Sequence, residues 1–483
     1  MPLALTLGLS LLLSACSVGP DYVRPQTPPL PLAFKEMQDW KPAQPADLKT
    51  RGNWWEMFGD AQLNGLIAQI DISNQNLAQS EATFRKALAL VQTAQAAYSP
   101  TLKLGVGGTR SGTNTQANGP AIGNNYNASL SAAWEADVWG RVRRNVESNE
   151  ASAQASAGDL AAVRLSAQAQ LAQDYLQLRV QDQLQKLLDD TVVAYQRSYT
   201  LTQNQYQAGV AAKSDVIQAL TQLQTAQASA LDNGVLGAQL EHAIAMLVGQ
   251  PASSFSIAPA PLLLTAPPVP VALPSMLLER RPDVASAERL AAAANAQIGV
   301  TKAANYPDLS LSASGGYQST SFANWFNLPN RIWSLGPQLA QTIFDGGATR
   351  ALTSQAIASY DASVAVYKQT VLMAFQEVED NLAALRILEK EAAVQDQALQ
   401  SARQALALVL NQYKAGTVSY VNVITAQAVA LTSERSSLAI FNRRLTASVL
   451  LAKALGGGWS VDAMSDLSQV SGAQRPADAL PAN

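Results

Sequence analysis

The sequence predicts a mixed α and β fold in which each of two repeated halves supplies one strand hairpin and one pair of very long helices. Three observations predict this fold class. Landmarks in the first half recur about 207 positions later, two long windows lack proline, and a segment before each long helix alternates between apolar and polar residues. Only 14% of the 483 residues are charged and 6% are aromatic, a composition that favours long helices with small-residue contacts over a large globular enzyme.

The content of reactive residues excludes several classes of protein. With one cysteine and one histidine, the chain has no disulfide framework and no Cys/His zinc site of its own. His242 lies in a predicted helix without a second histidine to form a relay, so we interpret it as a structural residue. A net charge of -3 without basic runs provides no surface for nucleic acid. We therefore expect no enzyme activity, catalytic residue, cofactor, metal or nucleic-acid partner.

The first sixteen residues resemble a bacterial lipoprotein signal. An apolar run from Leu3 to Leu13 is too short to span a membrane as a helix, and the only cysteine, Cys16, follows the small residues Ser14 and Ala15. We expect residues 1–15 to be a signal peptide and Cys16 to be the lipidated N-terminus of the mature chain. The absence of Lys or Arg before the apolar run is the one departure from this pattern.

An internal two-fold repeat covers residues from about 60 to 456. Tyr98–Leu102 precedes Asn305–Leu309 by 207 positions, and Tyr206–Gly209 precedes Tyr413–Gly416 by the same number, whereas Gly140 pairs with Gly346 at 206. From this pattern and from proline-rich stretches we predict five segments. A lipid-anchored extended segment at 16–60 precedes the first repeat at 61–250, and a Pro-rich linker at 251–282, expected at the equator midway along the helices, leads to the second repeat at 283–456. A flexible tail follows at 457–483.

Long helices are predicted because proline is absent between Pro120 and Pro251, and again between Pro337 and Pro476. We predict a helix over 141–208, roughly 100 Å long at ~1.5 Å per residue, with an antiparallel partner over 214–248. The second half repeats this arrangement at 348–412 and 419–455. By themselves, the helices fit a plain structural coiled coil equally well.

Before each long helix, apolar and polar residues alternate in a way typical of a membrane strand with one face in lipid and one in water. The clearest case runs from Tyr126 to Val138 without interruption. We predict strand hairpins at about 98–138 and 306–344. The predicted lipid-facing residues are Tyr126, Leu130, Trp134, Val138, Leu309, Leu311, Trp333, Leu335 and Leu339, and Ile343 continues the series. A soluble hairpin with one buried face would show the same alternation.

Four strands per chain are too few to close a barrel. The chain must therefore oligomerise if these strands enter lipid. Two copies would give eight strands and an interior filled by side chains, whereas three copies would give twelve strands and a water-filled lumen.

Several motifs occur in order along nearly the whole mature chain: Gly19-Pro20-Asp21-Tyr22, Trp54–Asp60, Leu277–Val284, Ala294–Val300, Ile343–Gly347 and Phe375–Asp380. In sequence and spacing they resemble the NodT/OprM branch of the TolC-like outer membrane efflux proteins. The resemblance implies a mixed α and β membrane protein, a homotrimer whose twelve strands form a transmembrane β-barrel in outer membrane lipid, continued by a long periplasmic α-helical barrel.

The same resemblance implies a function and partners. The expected function is the passive exit duct of a tripartite efflux pump, lipid-anchored in the cell outer membrane and extending into the periplasm. The expected partners are a periplasmic adaptor (membrane fusion) protein and a proton-driven inner-membrane pump of the RND type. Two alternatives stay open, namely the conduit of a type I protein secretion system and a periplasmic scaffold without a barrel.

The turns that join the long helices are expected to form the periplasmic tip. Each contains a glycine, expected at positive φ, followed by a polar candidate for the helix N-cap, Ser214 or Ser419. By resemblance, the adaptor-docking residues are Gly209, Ser214, Asp215, Gly416, Ser419 and Asn422, and the periplasmic gate is formed by Tyr206, Tyr413 and Asp215. Val418, Asn422 and Thr425 stand where some relatives carry one basic and two acidic gate residues.

Overall fold

The computed structural model describes residues 18–27, 29, 33–37, 53–115, 119–260 and 280–459. The predicted signal peptide, Cys16, most of the Pro-rich linker and the tail beyond 459 lie outside these ranges. In the first half, the helices and strands are α1 (Ala61–Ser73), α2 (Gln75–Ala96), β1 (Thr101–Thr115), β2 (Gly119–Glu135), α3 (Arg141–Gln207) and α4 (Lys213–Leu247). In the second half they are α5 (Pro282–Ala303), β3 (Asp308–Ser319), β4 (Arg331–Ala340), α6 (Ala348–Lys414) and α7 (Tyr420–Ala454).

The helices of the two halves correspond in length and position. Helices α3 and α6 each have 67 residues, α4 and α7 each have 35, and α2 and α5 each have 22. Each second-half helix begins 207 positions after its counterpart. At ~1.5 Å per residue, α3 and α6 are rods of about 100 Å. In the part of the chain that is described, no helix combines the length and the apolar character needed to cross a membrane.

The starts of the two longest helices correct the sequence alignment by one residue. The N-cap of α3 is Gly140, and the N-cap of α6 is Gly347 rather than Gly346, so the offset is 207 here as well. The one-residue difference lies in the distance along the chain between the N-cap glycine and the carboxylate that accepts hydrogen bonds at the start of each helix. Asp137 accepts hydrogen bonds from two N–H groups of the first turn of α3. Asp345 accepts from the N–H of the N-cap Gly347 and from that of Thr349 in the first turn of α6, and it stands one residue closer to the N-cap glycine.

Strand β2 ends at Glu135, three residues before the predicted end at Val138. The N–H of Ala136 still donates to the carbonyl oxygen of Leu309, at 2.9 Å. Beyond that point, Asp137 turns to cap α3, at 2.8 Å from the N–H of Val142. Val138 lies in the bend before the helix, so its prediction as a lipid-facing strand residue is wrong. Ile343 likewise lies beyond the end of β4.

The main core lies where the short helix α1 crosses the long helices. Trp54, Trp55 and Phe58 pack with the apolar face of α1 against residues of α3 and α7. Asp60 caps α1 by accepting from the N–H of Leu63 at 3.0 Å, and it also accepts the hydroxyl hydrogen of Tyr175 at 2.8 Å. This contact fastens the short helix to α3 midway along the rod.

Residues 18–24 form an N-terminal strap across α3 and α5. The N–H of Val18 donates to the carbonyl oxygen of Trp139 at 3.1 Å, and Arg144 pairs with Asp21 at 2.6 Å. The hydroxyl of Tyr22 donates to Glu288 at 2.6 Å. Gly19 has a φ of 106° and lies so close to α5 that a Cβ there would stand 2.5 Å from the Cα of Gly299.

Replacing Gly19 with alanine should detach the strap. Positive φ costs an L-residue roughly 1–2 kcal/mol, and the contact with Gly299 adds a steric penalty. We expect amide hydrogen exchange in residues 18–24 to accelerate about tenfold or more. The control is Gly59→Ala, because Gly59 also has positive φ but has open space around it. Equal exchange in the two variants would show that close packing at Gly19 does not hold the strap.

Candidate functional site: the strand sheet and the helical tip

The four strands form one antiparallel sheet in the order β1-β2-β3-β4. The register places the predicted apolar residues of all four strands on a single face. Leu104 lies opposite Leu130, Trp134 lies opposite Leu311, and Leu309 lies opposite Leu339. Because directly paired residues share a face, the alternation within each strand becomes one apolar surface.

The two faces of the sheet differ sharply in chemistry. On the polar face, Ser131 lies opposite Lys103 and Ser314, and the hydroxyl oxygens of Ser314 and Ser334 are 2.8 Å apart. On the apolar face, eight large side chains are 51% to 76% exposed in the single chain: Leu102, Leu104, Val106, Ile122, Leu130, Trp333, Leu335 and Leu339. A soluble protein rarely leaves so large an apolar patch uncovered. The face therefore requires an apolar environment outside the chain.

The sheet is open at both edges. Within the described residues, β1 pairs only with β2 and β4 pairs only with β3. Strands of 15 and 10 residues with free backbone groups are a ready template for pairing with another chain. The sheet thus requires partner strands as well as an apolar surrounding.

At the opposite end of the rods, glycine turns reverse the chain. Gly209 and Gly416 have φ values of 74° and 72°, which confirms the predicted positive φ. In each turn the N–H after the glycine donates back to the last helical turn, from Val210 to the carbonyl of Gln205 at 2.9 Å and from Thr417 to that of Gln412 at 3.0 Å. Both are Schellman-type helix ends, a geometry that favours glycine.

The two shorter helices of the pairs differ in their N-caps, and only the one in the second half begins at the predicted serine. Helix α4 starts at Lys213 after the N-cap Ala212, so Ser214 lies inside the first turn and its prediction as an N-cap is wrong. Ser419 does occupy the N-cap of α7, but its side chain makes no capping hydrogen bond. Asp215 and Asn422 are equivalent third residues of their helices. The carboxylate of Asp215 there interacts favourably with the helix dipole.

The two predicted gate tyrosines occupy different environments although they are 207 positions apart. Tyr206 is 44% exposed, whereas Tyr413 is 6% exposed. The hydroxyl oxygen of Tyr413 lies 3.3 Å from Oγ1 of Thr202, and its ring centroid is 5.3 Å from that of Tyr420. Burial, followed by the nearby charge of Asp215, raises the pKa of Tyr413 above its ordinary value. Tyr413 therefore remains a neutral hydroxyl that joins α6 to α3 within one chain.

A second buried polar contact joins the helix pairs further along the rods. Nε2 of Gln427 on α7 donates to Oγ of Ser198 on α3 at 3.2 Å, and both side chains are buried. We call Ser198, Thr202, Tyr413 and Gln427 the polar seam. Sequence reasoning missed three of these four residues. The four-residue spacing of Ser198 and Thr202 along α3 is the signal that could have found them.

A groove of about 540 Å³ lies beside the seam, on the surface between the two helix pairs. Helix α4 lines it with Ile217, Thr221 and Thr225 at four-residue spacing, and α7 lines it with Ile424 and other residues of the same face. We call it the tip groove. Its position between α4 and α7, which both run away from the tip, and its mixed apolar and hydroxyl lining suit a helical partner.

Comparisons with known proteins agree with this geometry. The family profile described as "Outer membrane efflux protein" matches residues 66–250 and 273–457. The chain is 31% identical over 462 residues to the probable efflux pump outer membrane protein TtgC of Pseudomonas putida, covering 93% of this chain and 94% of that protein. It is also 31% identical to the pyoverdine export outer membrane protein OpmQ of Pseudomonas aeruginosa, covering 94% and 96%.

A solved structure shares the same arrangement of strands and helices. The outer-membrane channel OprN superposes with a TM-score of 0.86 at 29% sequence identity, covering 92% of this chain and 100% of that chain. Both matched segments of the family profile contain one strand hairpin and one pair of long helices.

The apolar and polar faces of β2 should respond oppositely to charge. Leu130→Arg should reduce assembly in the membrane, because an arginine in hydrocarbon near the midplane costs about 2–4 kcal/mol per copy. Ser131→Arg is the matched control, since the neighbouring residue lies on the polar face beside Lys103. The measurement is the amount of heat-resistant oligomer in the outer membrane fraction. Equal assembly of the two variants would contradict the assignment of the faces.

Proposed function

Since the chain belongs to the outer membrane efflux protein family, we propose that three copies of it form one continuous exit duct through the periplasm and the outer membrane. It is an outer membrane channel of an efflux system, located in the cell outer membrane and extending into the periplasm. The observation that carries the proposal is the sheet, whose one face is apolar across all four strands and whose two edges are open.

Three copies satisfy both requirements of the sheet. If β4 of one copy pairs with β1 of the next, every edge is closed and lipid covers the apolar face. Twelve strands leave a water-filled lumen, whereas eight would be filled by side chains. The polar face, with Ser131, Ser314 and Ser334, then lines the lumen.

The helices extend the duct into the periplasm. The matched lengths of the two helix pairs support an internal two-fold repeat, so that a trimer presents six similar pairs around one axis. Helices α3 and α6, each about 100 Å long, run the length of the proposed α-helical barrel below the strands. The division into 61–250, 251–282 and 283–456 follows the same repeat.

Lipidation at Cys16 is part of the proposal. The strap begins at Val18, which is bonded to Trp139 at the junction between strand and helix. Two residues span at most ~7 Å, so the anchor attaches close to the end of the sheet, at the membrane surface. Mass spectrometry of the mature N-terminus should find a diacylglyceryl, N-acylated Cys16, and any other N-terminus would contradict it.

The partners are proposed to be a periplasmic adaptor and an inner-membrane pump of the RND type. The adaptor's helical hairpins would dock at the glycine turns and in the tip groove. Relatives named as efflux pump outer membrane proteins favour this assignment over a type I secretion conduit. They are channel proteins of efflux systems rather than enzymes, so transport energy comes from the inner-membrane partner.

The duct itself can be tested on purified protein. Native mass spectrometry in detergent should give the mass of three chains, and planar bilayers should show discrete conductance steps. A stable dimer or monomer would contradict the proposed twelve-stranded duct. Three chains without any conductance would support the assembly and contradict an open lumen.

The gate is proposed to open when the hydrogen bonds of the polar seam break and α6 moves away from α3. Tyr413→Phe removes the contact with Thr202, and a hydrogen bond of this kind contributes about 1 kcal/mol. We expect the open fraction in single-channel recordings to rise roughly fivefold, since 1.4 kcal/mol corresponds to about tenfold. Tyr206→Phe is the matched control, because its side chain is exposed. If both variants behave like the unmodified protein, the gate is built from other residues.

The tip turns should be needed for docking but not for assembly. Valine at Gly209 or Gly416 should distort the turn at a cost of about 1–2 kcal/mol, because both glycines have positive φ. We expect normal trimer abundance and loss of both adaptor crosslinking and efflux. Gly234→Val, at an open position within α4, is the control for adding a valine. Normal crosslinking and export in the turn variants would show that the turns are not the docking surface.

A further inference from the structure

The loop between β3 and β4, residues 320–330, is folded rather than extended. The N–H of Asn327 donates to the carbonyl oxygen of Asn324 at 3.2 Å, and Nδ2 of Asn330 donates to the same oxygen at 2.6 Å. The indole N–H of Trp325 donates to the carbonyl oxygen of Tyr317 at 3.3 Å, which fastens the loop to the end of β3. The loop therefore presents its side chains in a fixed arrangement.

This loop bends over the apolar face of the sheet. Tyr126 and Tyr317 belong to that face by register. The ring of Trp325 lies 5.7 Å from that of Tyr126, and the ring of Phe326 lies 5.6 Å from that of Tyr317. Trp325 is only 8% exposed, but three large apolar side chains of the loop remain 64% to 75% exposed: Phe322, Phe326 and Leu328. A fixed loop at the far end of the sheet thus adds uncovered apolar surface to the face already described.

The height of the apolar side chains on β3 and β4, compared with the thickness of the membrane, indicates where the loop would lie. From Leu309 to Tyr317, the apolar side chains of β3 span eight residues, or ~26 Å along the strand. At a tilt of about 40°, this corresponds to ~20 Å across the membrane, whereas the apolar band of outer membrane barrels is about 25 Å tall. The apolar side chains of β3 and β4 alone fall short by about 5 Å, whereas β1 and β2 continue beyond this level. The folded loop lies at the end of β3 and β4 where that height is missing.

Two arginines on the apolar face indicate which group of the lipid lies beside the loop. Register places Arg110 and Arg331 on the apolar face, opposite Asn124 and Tyr317 respectively, both near the loop. Aromatic rings beside arginines suit the boundary between acyl chains and phosphate groups, where rings remain at the interface and guanidinium groups reach the phosphate. Lys103, by contrast, lies on the polar face.

We propose that the β3–β4 loop is a lipid-binding element of the outer leaflet. Phe322, Phe326 and Leu328 enter its acyl chains, and Arg110 and Arg331 contact the phosphate of lipids that carry a net negative charge. The inference rests on the proposed membrane-spanning sheet and assigns the loop to lipid rather than to the lumen or to a neighbouring subunit.

Spin labels can test the position of the loop in trimers reconstituted into phosphatidylglycerol and phosphatidylethanolamine vesicles. The only native cysteine is Cys16, and its thiol is blocked by the proposed lipidation. For labels at Phe326→Cys and Leu328→Cys, oxygen dissolved in the lipid should enhance spin relaxation. A water-soluble nickel chelate should have little effect on it. Leu335→Cys on the apolar face should behave in the same way, and Ser314→Cys on the polar face should show the reverse.

Two results would overturn the inference. Loop labels that respond like Ser314→Cys would place the loop in water, and loop labels shielded from both reagents would place it in a subunit contact. If Leu335→Cys also responds to nickel, the membrane-facing sheet itself is wrong, which distinguishes that failure from failure of the loop assignment alone.

The phosphate contacts have a separate readout. The trimer should dissociate at a higher temperature in phosphatidylglycerol than in phosphatidylcholine vesicles, and the double variant Arg110→Gln/Arg331→Gln should lose at least about half of that difference. Lys103→Gln, which removes one positive charge from the polar face, should retain it. An unchanged difference in the double variant would refute the role of the two arginines.

Discussion

Unpaired backbone groups along the edges of the four-stranded sheet are the constraint on which the rest of the structure depends. Amide and carbonyl groups cannot remain unsatisfied in hydrocarbon, and the described chain offers β1 and β4 no second partner. The apolar face therefore cannot enter lipid until other copies close the edges. In the proposed duct, oligomerisation is thus a condition for membrane insertion and not a later addition to a finished domain.

The junction between the sheet and the long helices connects the ends of the strands rigidly to the starts of the helices. Asp137 ends β2 and starts α3 within a few residues. The ring of Trp139 stacks on that of Tyr306, with centroids 4.8 Å apart, and its indole N–H donates to the carbonyl oxygen of Pro307 at 2.8 Å. These contacts join the two halves of the chain where strands become helices. In the proposed trimer, pairing of strands between copies would therefore also set the relative positions of the long helices.

Periodicity predicted the long helices to within two residues at nearly every end, because proline and glycine mark their limits strongly. The same reasoning misplaced Val138, since alternation continues in the sequence past the point where Asp137 begins to cap α3. It also treated Ser214 as a cap, although the repeat aligns Ser419 with Ala212. The folded β3–β4 loop was invisible to pattern analysis because its aromatic residues follow no period and acquire meaning only when they pack on Tyr126 and Tyr317.

Duplication explains the scaffold, and divergence between the copies explains the tip. Equal helix lengths place Tyr206 and Tyr413 at equivalent points, so backbone geometry alone would give them the same role. Their surroundings differ because Tyr413 packs on Tyr420 and reaches Thr202, whereas the residue equivalent to Tyr420 in the first copy is Lys213, which is exposed. A charged lysine cannot form the apolar wall that buries a tyrosine. Within one chain, the second helix pair is therefore the one whose tyrosine is held inside, because Tyr413 has both Tyr420 and Thr202 as partners.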